Sequence, residues 1–376
     1  APEDIEKMVN QLATAKFPVV LAEAAGQEVE TYDALLALCE LLALPVVEKA
    51  GALVANFPKD HPLHQGHNFK QYWEEVDLSI VIRARAPWYP PSERPPNGIV
   101  AMLDEVPHRT SMVYQSHQAD IYLEGDVAQT LRDIAEGMKS HGIDEKAIEA
   151  RRARFTKSHD ALMAKRAAEH TAAGKLETIS PVWLCACVGE VMPKGTTYID
   201  EVTTHTGLLR QHIMWNEPQC LFTRQGGLGQ GLGLSLGVKL AKPESPVVTL
   251  IGDGAFLYNP VLQSLGASRD FNLPILIVIF NNSKYAAMQG MHLQMYPKGI
   301  AVNTDVFHGT HINAPDFTKI AEAFGAYGER VEDPKQVQQA LKNGLKALDE
   351  GRTAIINVVL KETEQLLGGQ DGSSKP

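Results

Sequence analysis

Cysteine is scarce: the 376 residues contain four, Cys39, Cys185, Cys187 and Cys220. That count does not suit the dense disulfide framework that staples small secreted domains. Cys185 and Cys187 sit in the apolar helical stretch Trp183–Val188 and, two residues apart, point to different sides of a helix. The paired cysteines with wider spacing that mark a zinc site do not occur. All four are expected as buried free thiols, and a cytoplasmic setting goes with them. Long apolar runs are also missing. No stretch of about 18 uncharged apolar residues exists, which excludes a membrane-spanning helix. The opening Ala1-Pro2-Glu3-Asp4 has no basic region followed by an apolar run, so it does not read as a secretion signal. Basic excess is absent as well: 35 Lys and Arg face 45 Asp and Glu, a net charge of -10. A chain of that balance is a poor general nucleic-acid binder. No internal repeat is visible.

What is present is an ordinary globular balance, 44% hydrophobic and 21% charged, at a length that favours two or three domains. Residues 1–145 alternate helical and strand patterns. A helical run from Ile5 to Lys16 leads into the apolar Phe17–Ala22, and Thr31–Leu42 leads into Leu44–Val47. Leu78–Ile82 and Gly98–Leu103 follow. Short continuous apolar runs between helices predict a parallel sheet covered on both faces. Pro87–Pro96 holds too much proline for helix or sheet interior. It reads either as a rigid surface loop or as a loop covering a site at a strand's carboxyl end.

Residues 146–177, rich in Lys, Arg, Glu and Ala, read as a solvated helical linker. A second α/β domain is expected over residues 178–362. Its strands are Thr197–Asp200, Val247–Ile251, Ile275–Phe280 and Ala354–Leu360. The polar, glycine-rich residues 363–376 read as a flexible tail. The predicted fold is therefore α/β, with two doubly wound parallel-sheet domains.

Two segments of the second domain carry chemistry. The buried strand Val247–Ile251 ends in Gly252-Asp253-Gly254, followed by Ala255 and then a helical pattern from about Pro260 to Asp270. The next strand ends in Asn281-Asn282-Ser283-Lys284-Tyr285. Oxygen ligands at two neighbouring strand ends suit Mg²⁺, which takes hard oxygen donors in a near-octahedral shell. Asp253 offers a carboxylate oxygen, Asn282 its amide oxygen, and Lys284 a backbone carbonyl. Diphosphate and water would complete the shell. The glycines let the backbone approach phosphates closely, and a helix start aims N–H groups at them.

Gly-Asp-Gly, a gap of about two dozen residues and then Asn-Asn resembles the signature of thiamine-diphosphate enzymes. Gln225–Gly233 is similar to a segment of the benzoylformate decarboxylase and acetohydroxyacid synthase relatives. There a backbone carbonyl receives the aminopyrimidine and a bulky apolar side chain props the cofactor in a bent shape. The resemblance assigns those roles to Gly226 and Leu228. It assigns diphosphate-binding hydroxyls to Thr203 and Thr204, in the segment Asp200–His205. Residues 1–145 resemble the middle domain of these enzymes, His61–Gly66 included, and 178–362 their diphosphate-binding domain.

The resembled enzymes also have a domain with a glutamate that hydrogen-bonds the pyrimidine ring. No glutamate of this chain takes that role. The expectation is a split enzyme, in which a separate subunit supplies the pyrimidine-binding domain with its catalytic Glu. The resulting hetero-oligomer is a dimer of heterodimers or larger. A fragment of a longer enzyme and a non-catalytic cofactor-binding or regulatory subunit are the alternatives. The resemblance implies thiamine diphosphate and Mg²⁺ as cofactors and a 2-oxo acid, an acyloin or a diketone as substrate. Ala287, Met288 and Met291, just past the Asn pair, read as a substrate wall or equally as helix core. Acid–base candidates are His205 and His292, ahead of His212, His308 and His311. A dinucleotide or flavin site in the first domain would need a glycine fingerprint after its first strand; Leu21–Gly26 has a single glycine.

Overall fold

The computed structural model describes residues 1–49, 51–90, 92–108, 118–223, 226–313 and 315–361. The expected flexible tail, 363–376, lies outside the described residues. The chain divides into two compact units, Ala1–Arg166 with Met214–Phe222, and Ala167–Ile213 with Thr223–Pro376.

The first unit is built on five strands, β1 (Pro18–Ala22), β2 (Val46–Glu48), β3 (Leu78–Ile82), β4 (Ile99–Asp104) and β5 (Ile121–Glu124). They lie in the order β2-β1-β3-β4-β5 and pair in parallel throughout. β1 and β3 are buried at every position, as continuous apolar strands covered on both faces should be. Helix Pro2–Thr14 opens on proline, whose missing N–H costs nothing at a first turn, and buries Met8, Val9 and Leu12. Helix Val127–His141 starts where the Asp126 side chain accepts the Gln129 amide at 2.7 Å. It packs on Pro2–Thr14 and on Val29–Leu42.

The second sheet is built on β6 (Thr197–Glu201), β7 (Leu221–Thr223), β8 (Val247–Gly252), β9 (Leu276–Asn281), β10 (Tyr327–Val331) and β11 (Ala354–Val359). Their order is β10-β11-β9-β8-β6-β7. From β10 to β6 every neighbouring pair is parallel. β9 is buried along its whole length. Each large apolar side chain taken from water there contributes roughly 1.5–3 kcal/mol.

Three elements depart from the sequence reading. β10, Tyr-Gly-Glu-Arg-Val, alternates exposed and covered residues because it is the sheet edge with one wet face. β7 has three residues, too few for a periodic signal. The helix expected from Pro260 is preceded by a separate short helix, Asp253–Tyr258, which begins inside the motif itself. Helix Glu145–Ala173 runs 29 residues through the expected linker. All four cysteines are free and buried. Burial pushes the thiols of Cys187 and Cys220 up to about 12.

Candidate cofactor site

In an open parallel sheet, connections that leave neighbouring strands in opposite directions open a crevice at the strands' carboxyl ends. β6 has β7 on one side and β8 on the other, so such a switch point falls between β6 and β8. A cleft of about 210 Å³ lies there. It is lined by the ends of β6 (Val202, Thr203, Thr204, His205), β8 (Gly252, Asp253, Gly254, Ala255) and β9 (Phe280, Asn282, Lys284, Tyr285). Gly226, Gly227 and Leu228 line it from the glycine segment, and Ala286, Ala287 and Met288 from helix Ala286–Met295.

Asp253 is 3% exposed. Its Oδ1 accepts the Gly254 amide at 2.7 Å and its Oδ2 the Ser283 amide at 2.6 Å. One carboxylate therefore ties the end of β8 to the turn after β9. Burial raises its pKa to about 6, although the amides of Gly254, Ser283 and Lys284 and the charge of His205 pull the other way. A buried acid whose pKa is held up by desolvation is a carboxylate short of a cation. The Asn282 Oδ1 accepts the Lys284 amide at 3.1 Å; an amide oxygen has two lone pairs, so this donor does not preclude a metal. The neighbouring Asn281 is structural. Its amide donates to Asn357 at 3.0 Å, and its Oδ1 accepts the Ser283 amide and hydroxyl, both at 3.2 Å. Ser283 takes φ 56°, the left-handed turn that swings the chain after β9 back over Asp253.

The glycines divide into two kinds. A Cβ on Gly226, Gly227 or Gly252 would meet nothing within 4 Å, so these three leave bare backbone beside open space. A Cβ on Gly254 would come within 2.5 Å of the Tyr285 ring, so this glycine is what lets Tyr285 pack across the motif. The residues present fit a diphosphate–Mg²⁺ group: a buried anion, an amide oxygen, hydroxyls at Thr203 and Thr204, and uncluttered backbone.

Two predicted residues do not line the cleft. His292 is exposed, its ring 6.2 Å from that of Phe307. Met291 is 52% exposed on the same helix, as is Met288 at 52%. That helix buries only Ala286, so these methionines are not core of this chain among the described residues. His205 is buried, 6.1 Å from the Phe280 ring. His212 pairs instead with His170, ring nitrogens 3.1 Å apart.

The sequence reading passed over Glu201 and Asn259. Glu201, the last residue of β6, is fully buried. Its Oε1 accepts the amides of Gly229 (2.7 Å) and Gln230 (3.1 Å). Its Oε2 accepts the Gly231 amide and the Asn259 Nδ2, both at 2.8 Å. Asn259 also donates to the Ala255 carbonyl at 2.8 Å and accepts the Leu232 amide at 3.1 Å. The pair thus locks the glycine segment to β6 and to the end of helix Asp253–Tyr258. A carboxylate also satisfies the first amides of helix Gly231–Ala241. Gly231 is required there, because a Cβ would lie 2.5 Å from Oε2. The available signal was an acid at a strand end, followed by a glycine segment entering a helix.

Comparison with known proteins bears on the family and the fold. Residues 201–358 match the thiamine pyrophosphate enzyme C-terminal TPP-binding domain, and residues 5–134 the thiamine pyrophosphate enzyme central domain. An acetolactate synthase large subunit from Buchnera aphidicola is 26% identical over 96% of this chain and 62% of its own length. The acetolactate synthase catalytic subunit of Aspergillus candidus is 27% identical over 90% of this chain and 49% of its own. The chain thus spans about half to three fifths of the length of these relatives. The fold is shared with a 4-hydroxybenzoylformate decarboxylase from Rhodococcus jostii, with a TM-score of 0.74 and 21% identity over 97% of this chain and 65% of that one. With both the central and the TPP-binding domain present, this chain belongs to the thiamine pyrophosphate enzymes.

Proposed function

We propose that this chain is the large component of a thiamine-diphosphate-dependent enzyme that cleaves or forms a C–C bond next to a carbonyl. Its substrate is a 2-oxo acid, an acyloin or a 1,2-diketone. The outcome is decarboxylation, carboligation or cleavage, a lyase or transferase reaction. The observation that carries the reading is the convergence of Asp253 and Asn282 from two adjacent parallel strands on a glycine-walled cleft.

Asp253, Asn282 and the Lys284 carbonyl would hold Mg²⁺, and Thr203, Thr204, Gly252, Gly254 and Ala255, which line the same cleft, would hold the diphosphate. Tyr285, packed on Gly254, closes that end of the site. Gly226 and Leu228 line the cleft, where the one would offer its carbonyl to the aminopyrimidine and the other would prop the cofactor. When bound, thiamine diphosphate would supply the electron sink that C–C bond chemistry next to a carbonyl needs. His205 lines the same cleft as Asp253 and is the acid–base candidate at its wall. Ala287 and Met288, which line the cleft, form an adaptable apolar wall for the acyl group, and Met291 lies outside it.

The glutamate for the pyrimidine ring comes from a separate subunit. Among the described residues no glutamate lines the cleft, and its volume of about 210 Å³ falls below the roughly 300–1,000 Å³ of complete ligand pockets. Uncovered apolar side chains lie on the neighbouring elements. Tyr258 is 63% exposed, Met295 64% and Ile300 83%. Such a face suits a second chain. The acetolactate synthase relatives favour carboligation. The test is native mass spectrometry of the protein from its own source with Mg²⁺, followed by turnover of 2-oxo acids, acyloins and diketones. A second chain, bound cofactor and turnover are expected. Cofactor held with no turnover of any of these substrates would leave a non-catalytic holder and overturn the reading.

A further inference from the structure

Ligand-bearing side chains converge at a second place, the carboxyl end of β2 in the first unit. Glu48 ends that strand, and the chain returns alongside it at residues 63–66. The Val46 amide donates to the Leu63 carbonyl at 2.8 Å, the Gln65 amide to Val46 at 2.8 Å and the Glu48 amide to Gly66 at 3.0 Å. This backbone ladder fixes His64 against Glu48. Gly66 then takes φ +75°, a left-handed turn that brings His67 back beside His64, ring centroids 5.9 Å apart. One ligand atom from each of Glu48, His64 and His67 lies within 4.8 Å of the other two. Glu48 and His64 are buried, and His67 is half-buried, which leaves an entry path.

The surroundings hold these groups in position. The Glu48 Oε2 accepts both the backbone amide (3.0 Å) and the side-chain amide (3.1 Å) of Asn56. Its Oε1 is thereby aimed at the His64 Nε2, 3.1 Å away. The His64 backbone is pinned in turn, its carbonyl 2.9 Å from the His159 Nδ1. A carboxylate oriented through its second oxygen is the outer-shell arrangement that metal ligands use.

We propose that Glu48, His64 and His67 form a binding site for a divalent transition metal, zinc by ligand preference, with a fourth position left for water. One carboxylate and two imidazoles are a donor set that zinc takes with an open coordination position. Tetrahedral zinc places its ligands roughly 3.4 Å apart, so the 3.1 Å pair needs little change and His67 closes by side-chain rotation. On binding, the proton shared between the His64 Nε2 and Glu48 moves to Nδ1. The contact given up is the long one from the Gly66 amide to Nδ1, 3.4 Å. Lys59 acts electrostatically on both Glu48 and His64, and opposes the metal's charge. The metal would clamp β2 to the 61–67 turn, in a different unit from the Asp253 cleft.

The experiment uses the full chain, stripped of metal and carrying Asp253→Ala so that the other cation site is silent. Zinc chloride is titrated by calorimetry and the bound metal counted by elemental analysis. One equivalent per chain is expected. His67→Ala, at a half-buried position outside any strand, is expected to weaken binding at least tenfold with an unchanged circular dichroism spectrum. Lys59→Met is expected to tighten it. Cobalt(II) at the same site is expected to give tetrahedral visible bands that are lost in His67→Ala. No zinc bound by the His67-containing chain, or equal affinity in His67→Ala, would overturn the site and leave the cluster a hydrogen-bonded latch. Neither result bears on the thiamine diphosphate reading.

Discussion

At the scale of single residues, Asp253 concentrates the site's electrostatics. Its ordinary pKa of 3.8 rises to about 6 in the fold. Between those values the folded chain binds more protons than the unfolded one, so stability falls as pH rises through that window. A shift of about two units corresponds to roughly 3 kcal/mol. Urea unfolding of the cofactor-free protein from about pH 4 to 7 is expected to lose stability on that order, and Asp253→Asn to flatten the slope. Parallel slopes in both proteins would mean that Asp253 is not the group responsible. Mg²⁺ needs the ionised carboxylate, so cofactor affinity is expected to climb as pH passes about 6. Gly254→Ala tests packing at the same spot. Its Cβ would lie 2.5 Å from the Tyr285 ring, an overpacking that typically costs about 1–3 kcal/mol. The expected readout is a lowered unfolding midpoint together with weaker cofactor binding; an unchanged midpoint would mean Tyr285 moves freely. Asp253 and Asn282 were legible in the sequence because motif and strand end coincide. Glu201 was not: the amides it binds are nearly thirty residues further along the chain, and only the fold shows where its carboxylate goes.

At the scale of elements, the strands were the readable part, since a short continuous apolar run between helices fits little besides a covered strand. β1, β3, β8 and β9 were legible for that reason. β10 was hidden because an edge strand with one wet face loses the apolar run, and the helix Asp253–Tyr258 because six residues hold less than two turns of pattern. What holds the glycine segment in register is the Glu201–Asn259 lock. Glu201→Gln keeps the shape but turns an NH₂ toward backbone N–H groups. Breaking such a buried carboxylate contact costs about 1–3 kcal/mol. The expected result is a more protease-sensitive segment near Gly229, with turnover reduced more than diphosphate affinity. Glu201→Asp, shorter by one methylene, is expected to restore little. Wild-type protease resistance in Glu201→Gln would show that the segment is held by other contacts.

At the scale of the whole molecule, two parallel sheets obey one rule with different results. In the second unit the switch point is open and lined by glycines. In the first it falls between β1 and β3. There the buried Glu23 accepts the Arg85 amide at 2.9 Å, the Arg85 guanidinium at 3.1 Å and the Lys49 ammonium at 3.3 Å. The first sheet thus fills its crevice with its own ion pairs, and the second leaves space for a ligand. Among the described residues no helix is long and apolar enough to cross a membrane. The most direct measurement is calorimetric titration of thiamine diphosphate into the protein, purified with whatever chain accompanies it, with Mg²⁺ and then with a chelator, for wild type and Asp253→Ala. Mg²⁺-dependent binding that weakens at least about 100-fold in Asp253→Ala, in line with the loss of a charge-assisted metal contact, is the expected result. Equal affinity in the two proteins, or binding indifferent to the chelator, would contradict the assignment of the Asp253–Asn282 cleft.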